Sequence, residues 1–194
     1  MTADGRVVIG FSKPHYALYS ISGTTVTYAS GAVLARGVSV SLEIETSEDN
    51  NFYADNGIAE SDNGSFVSGT GTLTVDGLNP ASRRAVLGLP EADNAGWTGY
   101  GDGISVPFVG VGYIVKYRSG GDDIYVPTVL PKVKFTVPAK SAETQGENID
   151  WQTEELSMTV YKDGTADNNW LYEGADCTTE AAALAALKTK LGIQ

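Results

Sequence analysis

One cysteine and one histidine in 194 residues remove most of the chemistry that side chains can offer. Cys177 has no second cysteine to pair with, so the disulfide-stapled secreted class is excluded and assembly in a reducing cytoplasm is expected. The common zinc sites need several Cys and His ligands and are excluded as well. A Ser-His-Asp or Cys-His pair would have to use His15, and no nucleophile motif accompanies it. Bases are also scarce: 13 Lys and Arg stand against 24 Asp and Glu, a net charge of -11. Gripping nucleic acid by its phosphates needs clustered bases, so that class is disfavoured. No uncharged apolar run approaches the length of a membrane span. Met1 to Arg6 lacks a basic region followed by an apolar core, so no signal peptide is expected.

What is present is strand. Val7 to Phe11 is a short apolar run, His15 to Ile21 follows Pro14, and Ser22-Gly23 turns into Thr24 to Tyr28, which predicts an opening meander of short strands. Val38 to Glu45 alternates apolar and polar at every step, the period of a strand with one buried face. Ser47 to Ser65 is rich in Asp, Asn and Gly and reads as a long acidic loop, and loops of that length are usually functional or ordered by a partner. Gly64 to Leu78 returns as a strand. Asn79 caps a short helix with Pro80 in its first turn and Gly88 at its end; Ala81, Ala85, Val86 and Leu89 form its apolar side.

A Gly-rich loop from Asn94 to Gly103 carries Trp97 and Tyr100. Val106 to Tyr117 and Ile124 to Val137 form a second strand pair around Ser119-Gly120-Gly121-Asp122. Pro127 and Pro131 mark the later strand as an edge strand or a bulged one. Ile149 to Tyr161 is another long strand, followed by a turn at Asp163-Gly164 and a loop to Trp170. Thr178-Thr179-Glu180 opens an Ala- and Leu-rich helix over about 178–191, with Ala181, Leu184, Leu187 and Leu191 as its apolar residues and Gly192 as its stop. The expected fold is mainly β, an antiparallel sandwich or barrel with a short mid-chain helix and a C-terminal helix, in one domain spanning 1–194.

Candidate chemistry is sparse. Asp163 to Asn169 places oxygen ligands at alternate positions but lacks the Gly and Glu of a calcium loop. Gly69-Thr70-Gly71, Gly99 to Gly103 and Gly110-Val111-Gly112 do not lead from a strand into a helix and are read as turns or close backbone approaches, not phosphate cradles. Glu43 and Glu45 share a strand face, which a glycosidase would use and an ordinary wet face explains more simply. No catalytic residue, cofactor or metal is assigned. Charge is uneven: no base lies between Arg36 and Arg83, where Glu43, Glu45, Glu48, Asp49, Asp55, Glu60, Asp62 and Asp76 all fall, whereas Lys116, Arg118, Lys132, Lys134 and Lys140 gather on the second strand pair. Opposite patches of this kind suit head-to-tail assembly.

Five stretches resemble, in order, the major tail proteins of long non-contractile-tailed phages, the family common in phages of Gram-positive bacteria. They are Val8 to Pro14, Asn51 to Glu60, Pro107 to Tyr113, Pro131 to Phe135 and Thr144 to Thr153. The resemblance implies a tail-tube fold, hexameric rings that stack, and a lumen lined by strands of all six subunits through which DNA passes without specific binding. It also implies contacts to other tail proteins (tape measure, terminator, distal tail protein), a place in the virion, no membrane and no catalytic residues. Ser39, Ser41, Glu43 and Glu45 are then the candidates to face the lumen, and Asn51, Phe52, Tyr53, Asp55 and Asn56 the candidates for a subunit contact. The alternatives are a soluble adhesin or carbohydrate-binding sandwich using Trp97, Tyr100, Trp151 and Trp170, a β-sandwich hydrolase using the carboxylate pairs, and another tube-like phage connector such as a tail terminator.

Overall fold

The computed structural model describes residues 5–62, 64–144 and 151–194. The fold is mainly β: an antiparallel sheet carries nearly all the strands, and two helices pack on it. Its order is β2-β1-β7-β8-β9-β6-β3, with β10 (Tyr172–Glu173) on part of β8. Those strands are β1 (Val7–Ser22), β2 (Thr25–Val33), β3 (Gly37–Thr46), β6 (Phe66–Val75), β7 (Val109–Ser119), β8 (Asp122–Phe135) and β9 (Glu154–Tyr161). A separate hairpin is made by β4 (Asn50–Ala54) and β5 (Gly57–Asp62). The big sheet curls until its two halves face each other. Phe11 of β1 then lies against Gly37 of β3, leaving no room there for a side chain.

The core between the halves joins Val109, Val111, Leu130 and Val133 to Leu73, Val75, Leu156 and Val160, all essentially sealed from solvent. Burying each such side chain contributes about 1.5–3 kcal/mol. Helix α1 (Pro80–Leu87) closes this core with Val86 and Leu87. Its capping matches the expectation: Asn79 Oδ1 accepts from Ser82 N at 2.8 Å, and Gly88 takes the left-handed conformation with φ 64°. Its buried side matches in part: Val86 and Leu89 are buried and Ala85 packs against the core. Ala81 is exposed, and Ser82 is buried because its hydroxyl donates to Val33 O at 3.1 Å.

Helix α2 (Glu180–Lys190) covers the outside of β7 and β8, capped by Thr179. Ala183, Leu187 and Leu191 are its buried residues, whereas Ala181 faces solvent. The helix lies so close that a Cβ on Gly112 would stand 2.9 Å from Leu191 Cδ1 and 3.0 Å from Leu187 Cγ. Gly110 and Gly112 are therefore the close backbone approach anticipated for that motif.

Several boundaries differ from the sequence reading. The turn at Ser22-Gly23 into β2 is as expected, but the two short strands before it are one long strand, β1, that survives Pro14 through a bulge: register shifts between Ser12 and His15, and Lys13 has φ 55°. The bulge switches β1 from pairing with β7 alone to pairing with both β7 and β2. The strand with Pro127 and Pro131 is not at an edge. It lies inside the sheet because its far side is shared between two partners, β10 opposite Thr128–Val129 and β9 opposite Lys132–Phe135, so no continuous ladder is required there. Its bulge is real and sits where Val109 and Val111 pair with Val133 and Leu130. The last long strand begins at Glu154; Ile149 and Asp150, where it was expected to start, lie outside the described residues.

Candidate functional site

The outward face of β3, β6 and β9 is built from alternate residues whose neighbours form the core. Register fixes the rows across it: Ser39–Thr74–Glu155, Ser41–Thr72–Ser157 and Glu43–Thr70–Thr159, with Glu45 beside Ser68. Glu45 accepts a hydrogen bond from the Ser68 hydroxyl at 3.0 Å. Across these rows the wall holds hydroxyls and three carboxylates, Glu43, Glu45 and Glu155, with no base; Tyr161, the next outward residue of β9, packs edge-on against Phe108 with 5.5 Å between centroids. Lys134 of β8 borders it opposite Thr159. Beyond it Lys132 lies over the rings of Tyr19 and Phe108, 5.2 and 4.6 Å from their centroids. Ser39, Ser41, Glu43 and Glu45 thus share one exposed face, although Val38 and Ile44 on the opposite side are more exposed than strict alternation predicts, because β3 is an edge strand.

The segment 47–65, expected to be a loop, is a projecting β-hairpin. Its turn is Asp55-Asn56, both with positive φ (51° and 62°), the conformation of a type I′ turn, which matches strand twist. Its root is clamped: Ser47 N donates to Ser65 O at 2.9 Å, and Asp49 Oδ1 accepts from Gly64 N at 2.9 Å. Phe52 and Tyr53 are 64% and 65% exposed and Ile58 58%. Asn51 is half-buried and accepts from Ser61 Oγ at 2.6 Å; Asp55 and Asn56 are exposed at the tip. A lone two-stranded ribbon is marginal in water, so large apolar side chains left open on it mark surface that a partner would cover.

The wall has two ends. The hairpin leaves one of them, where Thr46 pairs with Phe66. At the other, Gly37 pairs with Val75 and Val75 with Glu154. There Arg36 pairs with Asp76 at 2.5 Å and Arg83 with Glu154 at 2.7 Å. Segments 136–142 and 152–155 border the same place, and Lys140 Nζ sits 4.6 Å from the Tyr100 ring centroid, bringing the Gly-rich loop alongside. Trp97 and Trp151 are 77% and 87% exposed. Trp170 belongs elsewhere, stacked on Phe66 with 5.0 Å between centroids.

The five bases grouped by sequence do not form one patch. Lys116 and Arg118 both bind Asp123, at 2.5 and 2.7 Å, whereas Lys132 and Lys134 lie about 30 Å further along β8 and Lys140 in the loop beyond it. Antiparallel pairing explains the split, since the hairpin of β7 and β8 puts residues close in sequence at opposite ends.

His15 is buried beneath α2, with Nδ1 2.7 Å from Lys13 O. Burial lowers its pKa, the hydrogen bond to Lys13 O opposes this, and the charges of Lys188 and Lys13 lower it further. Asp163, part of the stretch weighed as a calcium loop, is likewise buried. Its carboxylate accepts from the Thr165 hydroxyl at 2.8 Å and the Tyr172 hydroxyl at 2.7 Å, and its carbonyl from the Tyr19 hydroxyl. Burial pushes its pKa up, but the Tyr172 and Thr165 hydrogen bonds outweigh it and hold the group below the ordinary 3.8. Among the described residues no group of three or more His, Cys, Asp and Glu could hold a metal ion, and no helix is long and apolar enough to cross a membrane. Cys177 is half-buried, bridging to Tyr125 and packed against the cluster under α2.

Sequence reasoning missed the wall's breadth. β3 stands out by its alternation, but Ser68, Thr70, Thr72, Thr74, Glu155, Ser157 and Thr159 extend the face over two more strands, and their own every-second-residue pattern was the available signal. No protein-family model matches this chain, and no curated protein matches it in sequence. What the chain does is therefore read from these surfaces.

Proposed function

We propose that this chain is a structural subunit that assembles into the tube of a long phage tail, with the β3–β6–β9 wall facing the lumen and the β4–β5 hairpin making a subunit contact. The observation that carries the reading is the wall: three adjacent strands whose paired outward rows, short of Tyr161 at the end of β9, are hydroxyls and carboxylates without a base. Double-stranded DNA carries about one negative charge per 1.7 Å, and every fixed base it meets releases counterions and tightens the grip. A wall without bases lets DNA slide. The resemblance to phage major tail proteins supports the same reading, as does the uncovered hairpin, which makes sense on a subunit that meets copies of itself. Tape measure, terminator and distal tail proteins are the further partners this reading implies, and the virion is its location.

The test is negative-stain microscopy of the concentrated protein. Hollow tubes with a regular axial repeat are expected; a chain that stays monomeric in sedimentation at every concentration would refute the reading. A second reading, a carbohydrate-binding sandwich, is favoured by the exposure of Trp97 and Trp151. Glycan binding by a monomer, abolished by W97A, would select it.

A further inference from the structure

We infer that Asn56 is a self-modification site: in the unassembled chain the backbone nitrogen of Gly57 converts the Asn56 side-chain amide to a carboxylate, while the fold holds back the same reaction at Asn63-Gly64. The reaction belongs to the single chain and does not depend on the tube reading.

The tripeptide Asp-Asn-Gly occurs twice in the sequence, at Asp55-Asn56-Gly57 and at Asp62-Asn63-Gly64. A glycine after asparagine leaves no side chain to shield its nitrogen from the preceding amide. Local sequence therefore makes the two pairs equivalent. Their surroundings do not. Asn56 is exposed at the tip of the β4–β5 ribbon, in the type I′ turn, with φ 62°. A Cβ on Gly57 would find no atom nearer than Ala54 O at 3.9 Å, so its nitrogen is open to approach. In a closed I′ turn the second residue has ψ of about 0°, which turns its side chain away from the next nitrogen. Reaction therefore runs through opened tips. The ribbon stands apart from the large sheet, and a lone two-stranded ribbon opens readily. The side-chain hydrogen bond from Ser61 to Asn51 lies toward the root and leaves the tip unheld.

Gly64 N is held instead. It donates to Asp49 Oδ1 at 2.9 Å, and a Cβ on Gly64 would collide with Ser47 O. Ser47 N donates to Ser65 O, and Ser65 N to the Ser47 hydroxyl, both at 2.9 Å, so the backbone around that nitrogen is clamped. Attack requires the nitrogen to give up its proton, and a carboxylate acceptor keeps the proton in place. Asn63 itself lies outside the described residues; the difference is in the two nitrogens.

At the tip, Gly57 N loses its proton and bonds to Asn56 Cγ. The amide C–N bond of the side chain breaks, and ammonia leaves with that proton. Water then opens the resulting cyclic imide, giving its OH to one carbonyl carbon and its proton to the nitrogen. Opening at Cγ leaves aspartate. Opening at the backbone carbonyl leaves isoaspartate, with the main chain routed through the side chain. Either product adds a carboxylate beside Asp55. Isoaspartate also lengthens a two-residue turn whose length sets the strand register, so pairing in the ribbon weakens.

The test is peptide mapping by mass spectrometry of the full-length chain, kept dilute at mildly alkaline pH, folded and in urea, over a time course. Exchange of NH2 for OH registers as a mass gain, and chromatography separates the aspartate and isoaspartate peptides. In urea, Asn56 and Asn63 should convert at similar rates. In the folded chain Asn56 should convert at least about tenfold faster than Asn63, because Gly64 N must first leave its carboxylate. G57A fits the open space at the tip and should slow Asn56 while leaving Asn63 unchanged. A folded chain in which Asn63 matches or outpaces Asn56 would overturn the proposal. So would an Asn56 that stays intact while the urea sample converts, or an undiminished rate in G57A.

Discussion

Reversing charge on the wall is the sharpest way to ask whether it faces DNA. E43K/E45K replaces two of the wall's three carboxylates and leaves Glu155, turning a face with three negative charges into one with a single net positive charge per copy. Glu43 and Glu45 are exposed, and among the described residues the only hydrogen bond at risk is the one from Ser68 to Glu45 at 3.0 Å. The fold should therefore change in stability by no more than about 0.5 kcal/mol. DNA affinity should change far more. Each phosphate neutralised contributes about 0.9 to the slope of log K against log salt, so two new lysines per engaged copy add about 1.8. Between about 50 and 200 mM salt that slope costs roughly tenfold in affinity for each engaged copy. The assay is fluorescence anisotropy of a labelled duplex with assembled tubes across a salt series. Wild-type tubes should hold little DNA, E43K/E45K tubes should retain it at low salt and release it as salt rises, and E43Q/E45Q should resemble wild type. E43K/E45K tubes that take up no more DNA than wild type would place these residues away from any DNA path and refute the reasoning.

Other outcomes follow from the core and the buried polar groups. G112V should lift α2 from the sheet, because its first added carbon already falls 2.9 Å from Leu191; overpacking of this kind costs about 1–3 kcal/mol, readable as a lower midpoint in urea. D163A should cost about 1–3 kcal/mol by leaving the half-buried Tyr172 and Thr165 hydroxyls without their acceptor, with D163N recovering part of it. His15 gives a pH signature. Its folded pKa lies below the ordinary 6.5, so the unfolded chain binds the extra proton first. Its contribution is complete above pH 6.5 and is lost as pH falls below that value, with a slope of at most about 1.4 kcal/mol per pH unit. H15Q should flatten the urea midpoint across that window; a wild-type midpoint that does not fall below pH 6.5 would contradict the burial argument. Asp163, shifted down, contributes above its ordinary 3.8 and is lost only as pH falls below it, which separates the two in a titration.

The alternating strand at Val38 to Glu45, the cap at Asn79, the stop at Gly88 and the C-terminal helix were all legible, because each is set by neighbours a few residues away. The hairpin at 50–62 was hidden by its composition. Its strands bury almost nothing, so the apolar alternation that betrays a strand is absent, and its turn uses Asp55-Asn56 where the eye looks for Asn56-Gly57. β8 was misplaced for a different reason. Two prolines speak against an inner strand, and only the division of its far side between β9 and β10, contributed by distant sequence, makes the inner position acceptable. Gly110 and Gly112 were recognisable as close approaches, but nothing local says that α2, some seventy residues later, is what approaches.

On the tube reading, the position of the acids gives the charge imbalance two separate roles. Only Glu43, Glu45 and Glu155 lie on the wall, and hydroxyls make up the rest. Sliding therefore does not need a densely acidic surface; it needs one without bases, lined by groups that hold water and offer no fixed cation to a phosphate. Glu48, Asp49, Asp55 and Glu60 belong to the hairpin and its root instead. An exposed ribbon with two free edges invites pairing with its own copies, and like charges on every arm oppose that. Repulsion between arms disfavours the closed, arm-to-arm pair, so on the tube reading the acids of the hairpin select against a contact that would end assembly.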